Sequence, residues 1–225
     1  MYYAREMDLG QRTNLRQGGG TAQRILEHAR KAFNERGVAA VGVREIARDL
    51  GLSPGNVSYH YPTKEDLVGA LMRDAHARNN ALVDSPPPAE GFEQADAILR
   101  GIMRRDLESR WLVRDLPGLL ATFPELRPLH EVMQRARDAR TEKFLGRLVT
   151  AGLLDGERVK QRLPELRVQI LTQIFFWVPS AILAAPDSDP ADRLELHARA
   201  AISLLLPFCT PGGRRKLEAL LDRRG

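Results

Sequence analysis

The segment VREIARDLGLSPGNVSYHYPTKEDL, Val43–Leu67, contains two short helical patterns separated by a glycine turn. The first pattern, VREIARDL, repeats its apolar residues at helical spacing and ends at Gly51. The second begins at Ser53, a favourable N-cap, followed by Pro54 at the first helical position, where a missing N–H costs nothing. The segment is therefore predicted to form two short helices joined by a tight turn.

The second of these helices is predicted to bury one face and expose the other. Val57 and Tyr61, four residues apart, are expected to anchor it on neighbouring helices. The side chains expected to point largely outward all carry hydrogen-bonding groups: Asn56, Ser58, Tyr59 and His60. Asn56 suits the edge of an adenine, and Gly55 permits a close backbone approach. A polar helix after a glycine turn is typical of a helix-turn-helix, whose second helix lies in the major groove of DNA.

Helical patterns flank this segment on both sides. Before it, apolar residues over 22–33 follow the i, i+3, i+4, i+7 rule, and Gly37 stands where that helix would stop. After it, another apolar stripe runs over residues 67–75. Thr63 with Asp66 three residues later resembles a capping box and marks the start of this last helix. The helix-turn-helix is thus predicted to be supported by apolar helices.

The triple proline in DSPPPAEG, residues 84–91, cannot continue a helix and is the predicted domain boundary. We expect a flexible arm over residues 1–20, a DNA-binding domain over 21–84 and a larger regulatory domain over 85–225. The sequence shows no alternating strand patterns, so the chain is predicted to be all-α. Helices of the last domain are expected near residues 91–108, 109–122, 125–153, 164–185, 190–206 and 212–223.

The composition is that of an ordinary soluble globular protein. Of 225 residues, 43% are hydrophobic and 28% charged, and the net charge of +5 permits a polyanionic partner without pointing to one. The segment LHEVM, residues 129–133, has a His-Glu pair without the second histidine that a zinc site needs. Because no nucleophile–base pair or phosphate loop is recognisable either, no metal or cofactor is predicted. Several arginines are interpreted as solvated helix faces: Arg104, Arg105, Arg135, Arg137 and Arg140.

Three features predict a cytoplasmic location. The single cysteine, Cys209, excludes an intrachain disulfide, fits a reducing compartment and is expected to be a buried apolar residue. The amino terminus lacks the apolar core of a signal peptide. The uncharged run from Val168 to Pro186 is interrupted by polar residues, so it is interpreted as a buried helix rather than a membrane span.

Residues Thr21–Val68 resemble the DNA-binding domain of the tetracycline-repressor (TetR) family of transcriptional regulators. The resemblance rests on the joint spacing of an A…F…G first helix, VREIA, GLSPG, and YHY followed two residues later by KEDL. Two positions depart from the family pattern. Gly42 stands where the second helix usually starts with Thr or Ser, and Ser58 stands where the family usually has an aromatic residue. The resemblance implies that Ser58 lacks a phosphate or thymine-methyl contact made by the aromatic residue, so the operator sequence is not taken from relatives.

The resemblance implies a role in DNA binding for each matching position. Asn56, Ser58 and Tyr59 would face base edges or the sugar–phosphate wall. Tyr59 and His60 would donate to phosphates, and Lys64 would bind a phosphate near the N-terminus of the fourth helix. The complete set implied for DNA binding is Arg44, Ser53, Pro54, Gly55, Asn56, Ser58, Tyr59, His60 and Lys64.

The aromatic residues and methionines of the last domain allow two interpretations. They are plain core, or they line a regulatory cavity for an apolar ligand, which needs concave apolar walls with a few polar groups. The residues concerned are Met103, Trp111, Phe123, Met133, Phe144, Phe175, Phe176 and Trp177.

The helices predicted near 164–185 and 190–206 carry more apolar surface than the edge of a lone domain would show. In the TetR family, this helix pair packs against its copy as a four-helix dimer interface. Because a monomer engages only one major groove, a homodimer is expected to bind two half-sites of a palindromic operator.

Together these patterns predict a homodimeric transcriptional regulator, most simply a repressor that a small, largely apolar effector releases from its operator. Two alternatives come from other classes of protein. A constitutive or architectural helix-turn-helix protein would have a filled last domain, and an enzyme would use a cavity in that domain. Activation instead of repression is a further alternative, since it depends on where the operator lies.

Overall fold

The computed structural model describes residues 19–84 and 88–223. Within them the chain is helical, and β pairing is limited to one isolated bridge between Leu154 and Cys209. The prediction of an all-α fold is confirmed. Of the arm predicted over residues 1–20, residues 1–18 lie outside the described residues, and Gly19 and Gly20 belong to the first helix.

The described residues form eleven α-helices. They are α1 (Gly19–Arg36), α2 (Val43–Asp49), α3 (Pro54–His60), α4 (Lys64–Asp84), α5 (Gly91–Glu108), α6 (Arg110–Thr122), α7 (Arg127–Thr150), α8 (Gly156–Gln161), α9 (Leu163–Ala184), α10 (Leu194–Ser203) and α11 (Pro211–Asp222). Short 3₁₀ turns occur at Pro124–Leu126, Pro190–Arg193 and Leu206–Phe208.

Helix α8 was not predicted from the sequence. It begins because the Asp155 carboxylate accepts hydrogen bonds from the backbone N–H groups of Glu157 and Arg158, at 3.0 and 3.1 Å. A helix of six residues is too short to show an apolar period. The helix expected over 125–153 is a 3₁₀ turn followed by α7, and the one expected near 190–206 is a 3₁₀ turn followed by α10.

The chain divides into two compact units between Leu71 and Met72, inside α4, whereas the triple proline after Asp84 was the expected boundary. Contacts of the second half of α4 explain the difference. Arg78 forms an ion pair with Glu108, with an N–O distance of 2.7 Å, and donates to the Ser109 hydroxyl at 3.0 Å. The second half of α4 is therefore part of the second unit.

The first unit contains α1, α2, α3 and the start of α4, and each helix buries its apolar face. Gly37 and Gly51 follow α1 and α2 with φ values of 81° and 67°, a conformation that glycine adopts without steric cost. The predicted capping box is confirmed, since the Thr63 N–H donates to Asp66 at 3.1 Å and the Asp66 N–H donates to the Thr63 hydroxyl at 3.1 Å. The core includes Ile25, Ala29, Phe33, Val38, Val41, Ile46, Ala47, Val57, Leu67 and Val68.

The second unit is built around α5, which contacts α6, α7, α9, α10 and α11. Two apolar clusters form its core. One includes Leu145, Leu148, Leu166, Ile202 and Leu217, and the other includes Met103, Val113, Trp177, Val178 and Ala198. Cys209 belongs to the first cluster, as predicted, and burial raises the pKa of its thiol.

Helix α9 is the one helix among the described residues that is long and apolar enough to cross a membrane, by length and composition. It packs against α5, α6 and α10. The expectation that it is a buried helix holds for one face only: Leu166, Trp177 and Val178 are buried, whereas Phe176 and Leu183 are 53% and 81% exposed.

A buried ion pair lies within α5, and its arginine also contacts α10. The Arg100 guanidinium and the Asp96 carboxylate are both buried and lie one helical turn apart, with an N–O distance of 2.8 Å. Arg100 also donates to Glu195 on α10. Because an uncompensated buried charge is strongly unfavourable, Asp96 stabilises the buried Arg100, and the contact between Arg100 and Glu195 links α5 to α10.

Replacing Asp96 with alanine leaves the buried Arg100 guanidinium without its buried partner, so we expect unfolding to become easier by about 3–5 kcal/mol. Glu93→Ala is the matched control, because Glu93 on the same helix pairs with Arg223 where both side chains are exposed. Such an exposed pair contributes about 0–1 kcal/mol. Chemical denaturation measures both variants, and equal losses of stability would contradict the role given to the buried pair.

Candidate nucleic-acid interface and ligand cavity

Helix α3 is positioned by contacts at its start and on one face. The Ser53 hydroxyl accepts a hydrogen bond from the Asn56 N–H at 3.2 Å, which caps the helix. Val57 is fully buried, and Tyr61 is buried with its hydroxyl donating to the Ala22 carbonyl at 3.4 Å. The anchoring predicted for Val57 and Tyr61 is confirmed, and it determines which face of α3 points outward.

The outward face of α3 is polar and exposed. Tyr59 is 78% exposed and lies edge-on to the half-buried His60, with ring centroids 5.2 Å apart. Arg44 is exposed on α2, which packs against α3. The other predicted positions on α3 and at its N-cap are also exposed: Ser53, Pro54, Gly55, Asn56 and Ser58. The structure thus brings these residues together around one short helix.

Lys64 is the first residue of α4 and is half-buried. Its ammonium lies 3.5 Å from the Ala39 carbonyl oxygen, and burial lowers the pKa of Lys64. A distance of 3.5 Å is long for a hydrogen bond, so the ammonium can exchange this contact for a stronger acceptor such as a phosphate. At the start of α2, Gly42 provides no side-chain cap, as its identity implied.

The second unit contains a cavity of about 210 Å³. Its walls come from α4, α5, α6, α7, α9 and α10, and most of the lining side chains are apolar. The apolar lining includes Ile98, Ile102, Leu112, Leu116, Met133, Phe144, Ile174 and Phe175. A concave, mostly apolar space with a few polar groups is suited to a small organic ligand.

Of the eight residues considered for such a cavity, three line it: Met133, Phe144 and Phe175. The other five do not. Phe176 is exposed on α9, and the remainder are buried in packing away from the lining: Met103, Trp111, Phe123 and Trp177. Consecutive residues on a helix point about 100° apart, so the adjacent residues 175–177 face three different environments. Aromatic character alone did not reveal which one faces the cavity.

The polar part of the cavity is centred on Asp106. This buried carboxylate accepts a hydrogen bond from the Trp177 indole N–H at 3.2 Å. Burial raises the pKa of Asp106 to about 7, although hydrogen bonds from Trp177 and Asn79 and the charge of Arg137 act in the opposite direction. Asp106 is therefore only partly ionised at neutral pH.

Arg137 lies over the ring of Phe175, with its guanidinium carbon 4.1 Å from the ring centroid. It donates to the Gln134 amide oxygen at 2.9 Å. Burial lowers the pKa of Arg137 to about 10, against the effect of Asp106 and Asp138. The guanidinium still carries its charge at neutral pH, in a largely apolar setting.

The interpretation of the arginines as solvated faces is wrong for Arg105, Arg137 and Arg140, which line the cavity. Arg104 and Arg135 are exposed, as expected. The sequence did contain a signal. Arg105 follows Ile98 and Ile102 at intervals of seven and three residues, and Arg137 follows Met133 by four, so both continue an apolar stripe.

Two histidines, His76 and His130, also line the cavity. Burial, with Arg137 and Arg140, lowers the pKa of His76 to about 4, and burial lowers the pKa of His130. Both imidazoles are therefore neutral at pH 7. Among residues 19–84 and 88–223 no group of three His, Cys, Asp or Glu side chains could hold a metal ion.

Comparison with known proteins covers both units. Residues 25–71 match the family described as "Bacterial regulatory proteins, tetR family", and residues 76–217 match the TetR family described as "Bacterial transcriptional repressor". The HTH-type transcriptional repressor LfrR of Mycolicibacterium smegmatis is 29% identical over 184 residues, which cover 74% of this chain and 92% of LfrR. The repressor Rv3405c of Mycobacterium tuberculosis is 38% identical over 74 residues, or 33% of this chain and 39% of that protein.

Solved structures share the fold. A TetR-family transcriptional regulator from Marinobacter aquaeolei superposes with a TM-score of 0.78 at 22% identity, covering 91% of this chain and 98% of that one. Salmonella enterica GusR superposes with a TM-score of 0.68 at 19% identity, covering 87% and 98%. Since the match over residues 76–217 alone exceeds half of the chain, this protein belongs to the TetR family of bacterial transcriptional regulators.

Proposed function

We propose that this regulator is a homodimeric repressor that binds a palindromic operator through α3 and leaves it when a small molecule occupies the cavity. Its site of action is promoter DNA in the cytoplasm. The observation that carries the proposal is the polar, exposed face of α3, held outward by the buried Val57 and Tyr61.

In the proposed complex, α3 enters the major groove. The exposed Asn56 side chain offers an amide that can bind an adenine edge in two places. Tyr59 and His60 at the end of the helix, and Lys64 at the start of α4, supply donors for phosphates on either side. The phosphate contacts of Tyr59, His60 and Lys64 would give affinity for DNA of any sequence, whereas Asn56 would give preference for one base. Substitutions of the two kinds of residue are therefore expected to have different effects on binding.

The proposed dimer interface is the exposed face of α9 with the adjacent part of α10. Phe176 and Leu183 on α9 line a shallow surface groove together with the smaller residues Pro179, Ser180 and Ala184. Four of the six large apolar residues that are exposed within the described ranges lie on these two helices: Val168, Phe176, Leu183 and Leu196. Burying such a patch against a second copy is favourable at about 25 cal/mol for each Å² of apolar surface. It also presents two α3 helices to half-sites about 34–36 Å apart or a multiple of that distance.

Helix α4 supports the proposed response to a ligand. Its first residue is Lys64, and its later residues His76 and Asn79 line the cavity. A ligand that fits best when α4 is displaced would favour a conformation in which the two α3 helices are wrongly spaced. A ~10³-fold loss of operator affinity requires a coupling free energy of about 4 kcal/mol. The cavity favours this function over that of a constitutive DNA-binding protein.

Selection of bound duplexes from a random DNA pool tests the proposal directly. We expect recovery of an inverted repeat whose half-sites are centred about one helical turn, or a multiple of it, apart. Recovery of no enriched sequence at low ionic strength would refute sequence-specific binding. A single half-site without a repeat would refute the dimeric mode.

On the selected DNA, Lys64→Ala is expected to weaken binding to all sequences and to reduce the slope of log K against log salt by about 1 per subunit, because a phosphate contact is lost. Asn56→Ala is expected to relax preference at one position of each half-site by about 1–3 kcal/mol. Lys216→Ala, on the exposed surface of α11, is the control and should bind as the wild type does. Unchanged affinity, salt dependence and preference in both test variants would refute these assignments.

Leu183→Glu is expected to shift the protein from dimer to monomer, because it places a charge in the centre of the proposed apolar interface. Val132→Glu on α7 is the matched control, since Val132 is 47% exposed outside α9 and α10. Analytical ultracentrifugation over a range of concentrations measures the dissociation constant of each. A Leu183→Glu protein as dimeric as the Val132→Glu protein would place the interface elsewhere.

A further inference from the structure

We infer that the cavity takes a small amphipathic anion, an apolar body that carries one carboxylate held by Arg105 and Arg137. This inference rests on the proposed function, since it names the chemical class of the effector. It follows from the charged groups of the cavity lining, in which arginines outnumber acidic residues.

Arg105 provides the first part of the argument. Its Nη1 atom is buried and has no hydrogen-bond partner among the described residues, and Arg105 is one of the residues that line the cavity. A buried N–H of a guanidinium without an acceptor is costly, because it has lost water and gained nothing in exchange. A carboxylate oxygen is the acceptor that a guanidinium binds most strongly.

The balance of charge in the lining provides the second part. Four arginines line the cavity, and two of them are paired: Arg78 lies 3.1 Å from Asp74, and Arg140 lies 3.5 Å from Asp84. Arg105 and Arg137 have no carboxylate within ion-pair distance in the described parts of the chain. Two guanidinium groups therefore face the cavity without a direct counter-ion.

The acceptors of the lining do not offset this positive charge. Asp106 is the one acidic residue of the lining, and it already accepts hydrogen bonds from Trp177 and Asn79. The pKa of Asp106 is raised to about 7 by burial, which removes part of its charge at neutral pH. The Asn79 side-chain oxygen is a buried acceptor without a partner and could accept from a cationic ligand. Such a cation would, however, be repelled by the positive charges of Arg105 and Arg137 in the same cavity. The field of the cavity therefore favours an anion.

The apolar walls determine the rest of the ligand. Arg137 lies over one face of Phe175, so its guanidinium is held in place by the ring. Phe144, Leu112 and Leu116 supply apolar surface elsewhere in the lining. A cavity of about 210 Å³ suits a compact molecule such as a single ring on a short chain.

Three probes with the same apolar body separate the possible charges: phenylbutyrate, phenylbutanol and phenylbutylamine, each with its ring at the end of the chain. Isothermal titration calorimetry on the full chain is expected to give about tenfold tighter binding for the carboxylate than for the alcohol, and weaker binding still for the amine. Equal binding of all three, preference for the amine, or binding of none at millimolar concentration would overturn the inference.

Variants assign the effect to the two arginines. Arg105→Gln and Arg137→Gln are each expected to weaken binding of phenylbutyrate about tenfold while leaving binding of phenylbutanol within about twofold, because only the charge-assisted contact is lost. Arg104→Gln and Arg135→Gln are the matched controls, exposed neighbours on the same two helices. Loss of alcohol binding as well as carboxylate binding in the test variants would show a structural role instead and would overturn the assignment.

Release of the selected operator DNA distinguishes this inference from the proposed function. If the amine or alcohol binds best and releases DNA, the ligand-responsive repressor stands and the anionic effector is refuted. If phenylbutyrate binds with the expected preference and the DNA stays bound, the anion site stands and the proposed response to its occupant is refuted. Release by phenylbutyrate that is lost in Arg105→Gln supports both.

Discussion

The burial of Val57 and Tyr61 is the constraint on which the proposed DNA-binding surface depends. Helix α3 has seven residues, too few to be stable in isolation, so it exists only because one face is packed against its neighbours. The Ser53 cap fixes where the helix starts, and the two anchors fix its rotation. The polar side chains are left outside as a consequence, on a backbone that is already helical, so that binding of DNA would not have to order this backbone.

The second unit buries charged groups among apolar helices, and each such charge needs a partner to offset the loss of water. Arg100 is paired with the buried Asp96 on its own helix, and its second partner, Glu195, lies on α10. Arg105 and Arg137 are not compensated in this way. A protein retains such a cost where it serves function, and here both arginines line the apolar cavity.

Helix α9 carries apolar residues on both its buried and its exposed sides. Trp177 points into the core, Phe175 lines the cavity, and Phe176 and Leu183 lie on the exposed side. The helix is apolar on both sides, which explains why its sequence also satisfies the length and composition of a membrane span. In the proposed dimer a second copy of the chain would cover the exposed apolar side, and the helix that contributes Phe175 to the cavity would also join the subunits.

The sequence by itself determined the all-α class, the family and the helix-turn-helix, because these depend on local signals: the Ser53 cap, the glycine turn at Gly51 and the Thr63–Asp66 capping box. It missed α8 and placed the boundary after α4, since short helices and shared helices have weak periodic signals. Only the tertiary structure decided that Phe175 faces the cavity, Trp177 the core and Phe176 the surface. The physical reason is that the apolar character of a side chain favours its burial without specifying where it is buried. The packing of helices that are distant in sequence decides whether such a side chain lies in the core or lines the cavity, and whether an arginine such as Arg137 lines the cavity as well.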